Sequence, residues 1–375
     1  MLPPPDDEFD LIGFERGVVP ASHAVVRFAS AGETVQVIAT ADARSAVESR
    51  FEQLAGAEAG ESSEGVIDRV SVWCAGSSFE ADLQFLDVAR VHSPDARMQA
   101  QQRWQAWWLT FDRATPWEGW SIDDRPGQDA SSSVGPFLDR ASARRWSEML
   151  DGIYELCREP AELRRAPAGS PCAYKEMGLC RSTCDGGERV SDHDGRVGQA
   201  LSTTAGTLAT ERASLAAAMA AASGEGAFER AAALRDRVAA LPAADDRAAG
   251  AVGPVESFRF VVVAGTGARR SARLMGVDAT GWRVLGDAAA EATGEDSAAG
   301  SVDRVIDGAL AWAAEARVTA DRFDPAMVGV VAREVVRPRR GGPVLLRTDG
   351  LDRSALLADI RRVGGVPDSG GDGDG

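Results

Sequence analysis

This 375-residue sequence is poor in lysine, tyrosine, histidine and cysteine, and each scarcity closes a route. Lys175 is the only lysine, so a surface that meets anions must do so with arginine, whose planar fork suits bidentate phosphate contacts. The two tyrosines, Tyr154 and Tyr174, leave the first 150 residues without a phenol for chemistry. Five cysteines and an N-terminus, "MLPPPDDEFD", that is acidic and proline-rich rather than basic then apolar suggest a reducing cytoplasm and no disulfide framework. No apolar run reaches about 18 residues, so neither a transmembrane helix nor a membrane partner is expected. Basic residues are outnumbered 41 to 57, for a net charge of −16. That balance argues against a wholly basic nucleic-acid-binding surface and leaves room only for local patches.

A hydrophobic content of 44% supports a packed core, and the length allows two or three domains. Residues 15–45 read as a β-hairpin, "GVVPASHAVVRF" and "TVQVIAT" joined through "AGE". The helix "ADARSAVESRFEQLA" follows with Asp42 as N-cap, then a third strand in "GVIDRVSVWCAG". "SSFEADLQFLDVARVH" is an amphipathic helix with Phe79, Leu83, Leu86 and Val88 on its apolar side. The order β-β-α-β-α predicts a small α/β domain over 14–103.

Region 104–190 is rich first in tryptophan (104, 107, 108, 117 and 120) and then in cysteine. Those tryptophans suit packing better than base stacking. A helix is expected over 138–157. Two helices over 199–242 form a hairpin, and "PAADDRAAGAVGP" reads as a linker. A second small α/β unit is expected over 255–340, and the Gly/Asp-rich tail, 364–375, reads as disordered. The fold class expected is α+β and multidomain.

Cys157, Cys172, Cys180 and Cys184 are spaced C-x14-C-x7-C-x3-C, with Cys74 apart in the third strand. Four thiolates suit a tetrahedral zinc or an iron–sulfur cluster. The other reading is four buried thiols acting as small apolar groups. The polar, loop-like surroundings of Cys172 and Cys180 favour the metal.

"GPFLDRASARRW" from Gly135, "LCREP" and "GSPCAYKEMGLCRSTCDGG" together resemble the UvrC excinuclease family. The cluster form C…PC-x-Y…G-x-C-x3-C is matched by Cys157, Pro171, Cys172, Tyr174, Gly178, Cys180 and Cys184. The resemblance implies a [4Fe-4S] cluster, or zinc, at the four cysteines. "AFERAAALRDRVAAL" resembles the Uvr motif in Phe228, Glu229, Ala231, Ala232, Arg235 and Asp236. That implies docking on the damage-recognition helicase UvrB, with Phe228, Glu229, Ala232, Arg235 and Asp236 as the partner-binding set. Damaged duplex DNA is the other implied partner.

The family's N-terminal domain is a GIY-YIG nuclease, which uses two tyrosines, an arginine and a metal-binding glutamate. By this resemblance Arg44 corresponds to the catalytic arginine and Glu80 to the ligand of one Mg or Mn ion. The first tyrosine falls at Val26 and the second at Gln36 or Val37, with Ile38 and Ala39 in place of the following glycine and lysine. The expected site is therefore an impaired nuclease, with His23 near the first strand as a stand-in base if it cuts. His92 and His193 have no nameable partner. Nothing after residue 340 resembles the family's RNase H-like nuclease or helix-hairpin-helix motifs, so the form expected is truncated and Cho-like. The reading from another class is a non-catalytic adaptor, since Uvr motifs also accompany cysteine modules in protein arginine kinase activators. Those modules use C-x2-C pairs, which are missing here.

Overall fold

The computed structural model describes residues 3–10, 18–56, 67–243, 246–266, 271–289, 299–315 and 323–365. The tail expected to be disordered lies outside these residues from 366 onward. The chain divides into two compact units. The first joins residues 1–104, 259–316 and 337–375, so the segment expected at 14–103 shares a unit with most of the one expected at 255–340, of which 255–258 and 317–336 fall in the second. The second holds 105–258 and 317–336.

In the first unit, β1 (Asp7–Asp10), β2 (Ala24–Ser30), β3 (Glu33–Thr40) and β4 (Arg69–Cys74) form an antiparallel sheet ordered β1-β4-β2-β3. β2 and β3 meet through a two-residue turn in which Ala31 and Gly32 both have positive φ. That geometry matches the right-handed twist of a hairpin, and glycine adopts it without steric cost. The Ala31 amide donates to Asp68 Oδ2 at 2.7 Å, which ties the turn to the start of β4.

Alternation along β2 sends its side chains to two cores. Val26 and Phe28 join Val70, Val72 and the α1 (Ala43–Gly56) residues Ala43 and Val47. Val25 joins Val37, Trp73 and the α2 (Ser78–His92) residues Phe85 and Val88. The two helices therefore cover opposite faces. A further helix, α3 (Pro94–Arg103), follows directly, capped by Ser93.

The C-terminal part of this unit builds a second antiparallel sheet from β9 (Arg259–Gly265), β10 (Ser271–Asp278), β11 (Gly281–Ala289) and β12 (Val344–Arg347), ordered β11-β10-β9-β12. Helices α11 (Ala299–Ala314) and α13 (Arg353–Val363) cover it, with Ile306, Ala309, Trp312, Leu356 and Ile360 buried on Val261, Val263 and Leu274. Buried Arg259 donates to the Trp312 and Glu315 carbonyls at 2.7 and 2.8 Å and stacks on the Trp312 ring. It thereby satisfies carbonyls that the end of α11 would otherwise leave open.

The second unit has β5 (Trp107–Phe111), β6 (Trp120–Asp123), β7 (Ser133–Phe137) and the two-residue β8 (Gly253–Pro254), ordered β6-β5-β7-β8. The helix expected at 138–157 is α4 (Arg140–Ile153), capped by Asp139, with Ala143, Trp146, Met149 and Leu150 packed on Leu109, Val134 and Phe137. Short α5 (Pro160–Leu163) and α6 (Ala173–Glu176) carry the cysteine segment, followed by α7 (Val190–Leu201). The expected hairpin is α8 (Ala205–Gly224) and α9 (Phe228–Ala240). The segment expected as a linker instead contains α10 (Arg247–Ala251), capped by Asp246, and β8, because Ala249, Ala251 and Val252 are buried there. α12 (Pro325–Val336) is apolar nearly all round and correspondingly buried.

Four of the five tryptophans in the 104–120 stretch pack as expected: Trp104 and Trp108 are buried, and Trp107 and Trp120 are packed against a core. Trp120 Nε1 donates to Asp151 Oδ1 at 2.8 Å. Burial raises the Asp151 carboxyl to about 6, so the folded protein holds this proton where the unfolded chain releases it. The resulting stabilisation is complete below about pH 4 and is lost as pH rises through 6. Asp151→Asn keeps the acceptor and removes the titration. Thermal melts should show the variant more stable than wild type at pH 7.5, by up to about 3 kcal/mol, with the gap closing at pH 4. Equal pH slopes for the two proteins would refute this role for Asp151.

Candidate functional site

Two places collect the residues that the sequence singles out, one in each unit. The first is the N-terminus of α2. "SSFE" places Ser77 as N-cap with its Oγ accepting from the Glu80 amide at 3.2 Å, while Glu80 Oε2 accepts from the Gly76 amide at 2.8 Å. This is capping-box chemistry displaced by one residue, and it satisfies amides that the helix end leaves unpaired. The S-x-x-E spacing is the sequence signal for a structural role of Glu80.

Glu80 has no solvent exposure. Its Oε1 receives Arg273 Nη1 of β10 at 2.6 Å, and the same guanidinium grips Asp287 of β11 through Nε and Nη2 at 2.7 and 2.9 Å. The carboxylates hold Arg273 further into its charged form. Removing one partner of such a buried pair costs about 3–5 kcal/mol, because the other charge is left uncompensated.

Two more acids of α2 meet the same C-terminal part of the unit. Asp82 pairs with Arg339, which also donates to Ser78 Oγ at 2.9 Å, and Asp87 accepts from Trp282 Nε1 at 2.9 Å. Gly76 makes the close approach sterically feasible. A β-carbon there would stand 2.7 Å from Thr266 Cα and 2.8 Å from the Gly265 carbonyl.

The other residues assigned to nuclease chemistry lie elsewhere. Arg44 is on α1, on the opposite face of the sheet, where its Nε donates to the Val19 carbonyl at 2.9 Å. Val26 is buried in the α1-side core and Val37 in the α2-side core. Gln36, Val37, Ile38 and Ala39 line one side of a cavity of about 360 Å³ shared with Phe85, Arg103 and Trp104. The structure does not bring Arg44 and Glu80 together as one site.

The second place is the cysteine segment. Burial pushes Cys157 up to about 11, and the thiols of Cys184, Cys180 and Cys172 add to it. Cys180 and Cys184 are raised for the same reasons. As a donor set, four thiols fit zinc or a cluster, and a bound cation would reverse these shifts by favouring thiolates. Among the described residues, however, no three of His, Cys, Asp or Glu are spaced to hold a metal ion. Ligation therefore requires the loop to draw in.

The surrounding loop is held by named contacts. The Gly169 amide donates to the Cys184 carbonyl at 2.8 Å, and Lys175 pairs with Asp185. His193, for which the sequence offers no partner, is buried on α7 and accepts from the Cys157 amide through Nε2 at 3.3 Å. Burial lowers it to about 4, so the ring is neutral at pH 7 and able to accept. Glu155 sits between this loop and the helical hairpin. Its carboxylate takes Arg181, beside Cys180, at 2.7 Å and Arg237 of α9 at 2.9 Å. No local pattern marks Glu155 or Arg237, because their pairing depends on how α9 packs.

On α9, Phe228 is 71% exposed, and Glu229, Arg235 and Asp236 are exposed beside it, with Arg235 and Asp236 paired at 2.9 Å. Ala232 is half-buried, and Leu234 and Val238 face the core.

The family model that matches the chain falls within the second unit. Residues 107–203 match the model of the UvrC/Cho excinuclease middle domain, a stretch that contains all four clustered cysteines. The chain is 33% identical over 117 residues to the UvrABC system protein C of Syntrophotalea carbinolica, covering 31% of this chain and 19% of that protein. It is 28% identical over 176 residues to the UvrABC system protein C of Halobacterium salinarum, covering 46% and 29%. The matched stretches thus span less than a third of each relative's length. No solved structure matches the chain. Residues 107–203 are therefore similar to the middle domain of UvrC/Cho excinucleases, and parts of the chain are similar to UvrABC system protein C.

Proposed function

We propose that the protein is a UvrC-related excision-repair factor that docks on a UvrB-like helicase through α9 and acts on damaged duplex DNA without cutting it from its N-terminal sheet. The observation that carries this reading is the middle-domain match over 107–203, in which the full cysteine set is retained. The exposed Phe228 supports the docking role, since an aromatic side chain on a short helix with a charged surround suits an interface anchor. No helix among the described residues is long and apolar enough to cross a membrane.

The non-cutting part rests on the first unit. A GIY-YIG reaction needs hydroxyls, a guanidinium and a metal-binding carboxylate around one phosphate. Here the tyrosine positions are apolar or amide side chains, Arg44 is on the far face, and both Glu80 oxygens already accept hydrogen bonds. Electrostatic stabilisation of a developing phosphate charge requires donors aimed at one point, and these are not.

The four cysteines would hold a [4Fe-4S] cluster or zinc, which when bound supplies a rigid cross-link between the α4 end and the loop before α7. The backbone beside two of these cysteines is held, the Cys157 amide by His193 Nε2 and the Cys184 carbonyl by the Gly169 amide.

Three measurements test this function. Incubation of nicked or damaged duplex with Mg²⁺ or Mn²⁺ should give equal background cleavage for wild type and Glu80→Gln; Glu80-dependent incision would restore the nuclease. Phe228→Ala should weaken capture of a UvrB protein by about tenfold or more, the cost expected of an anchor residue, and undiminished capture removes the docking surface. Anaerobic purification should yield a coloured protein with an iron–sulfur absorption band that Cys180→Ser loses. A colourless protein with stoichiometric zinc would make the centre a zinc staple.

A further inference from the structure

We infer that Arg273 stands in place of the divalent cation at Glu80, so the N-terminal sheet is a metal-free unit sealed by the β10–β11 hairpin. The inference rests on reading that sheet as derived from a GIY-YIG domain. A catalytic Mg²⁺ or Mn²⁺ keeps several waters and needs room for a phosphate oxygen beside them. Glu80 offers neither, being fully buried with Oε1 on Arg273 and Oε2 on the Gly76 amide. The ion does not fit here.

What occupies its electrostatic role is a fixed guanidinium. Arg273 lies between two carboxylates, Glu80 on one side and Asp287 on the other, and satisfies both with three hydrogen bonds of 2.6–2.9 Å. A bound metal ion exchanges its waters for substrate, whereas a guanidinium has no ligand to give up and stays charged across the working pH range. The exchange therefore leaves Glu80 paired with a positive charge, one unit smaller than a divalent ion's, and removes the coordination site. Arg339 on Asp82 and Trp282 on Asp87 likewise occupy two more acids of the same helix with donors from the C-terminal part of the unit.

The experiment is a Mn²⁺ titration of the full chain, following free Mn²⁺ by electron paramagnetic resonance, with Glu80→Gln subtracting any ion held elsewhere. Wild type and Glu80→Gln should take up Mn²⁺ equally. Arg273→Ala, which leaves the two carboxylates facing a guanidinium-sized space, should bind one further Mn²⁺ per chain. That ion should be lost in the double variant Arg273→Ala/Glu80→Gln. Wild-type uptake that depends on Glu80 overturns the inference, and so does a folded Arg273→Ala that binds nothing extra. If Arg273→Ala does not fold, the comparison of wild type with Glu80→Gln still decides. Failure of the repair reading would appear separately, in UvrB capture, and would leave the Mn²⁺ titration unchanged.

Discussion

A carboxylate without solvent exposure must be met by a positive charge or give up its own, and the first unit is organised around that requirement at Glu80. The cation arrives from 193 residues downstream, across a sequence distance that encompasses most of the second unit. The N-terminal and C-terminal sheets are consequently two halves of one body. Their junction is polar and specific, made of three α2 acids and their donors, with Gly76 allowing the backbones to touch. Apolar burial alone is tolerant of register, whereas charge pairs at this burial admit few alternatives.

Much of the local fold is legible in the residues. Period-two alternation marks β2 and β3, the positive-φ turn at Ala31–Gly32 joins them, and Phe79, Leu83, Leu86 and Val88 do form the buried side of α2. The strand pairings of the second unit are less legible. Trp107–Phe111 and Ser133–Phe137 are short and partly aromatic, and neither alternates clearly. The 242–254 segment looks like a linker by its Pro, Gly, Ala and Asp composition, yet partners distant in sequence bury Ala249, Ala251 and Val252.

The candidate site divides the same way. The cysteines stand out because their spacing is local, and the structure places His193 behind the Cys157 amide, while among the described residues no three such groups are spaced to hold a metal ion. Glu80 is visible as an acid at the start of a helix, but two roles share that pattern. A capping-box glutamate and a metal-binding glutamate look alike until Arg273 is placed, and Arg273 sits in a strand with nothing nearby to announce it. Long-range ion pairs leave no periodic trace, which is why sequence alone overstates the chemistry available at such positions.

Glu155 carries a different lesson. It takes a left-handed backbone conformation, rare for a residue with a side chain, two positions before Cys157. Its single carboxylate pairs with Arg181 and Arg237 together. Two guanidinia that share one counter-ion cannot separate without one of them losing it. The loop that carries Cys180 and the helix that carries Phe228 are therefore tied to one and the same carboxylate.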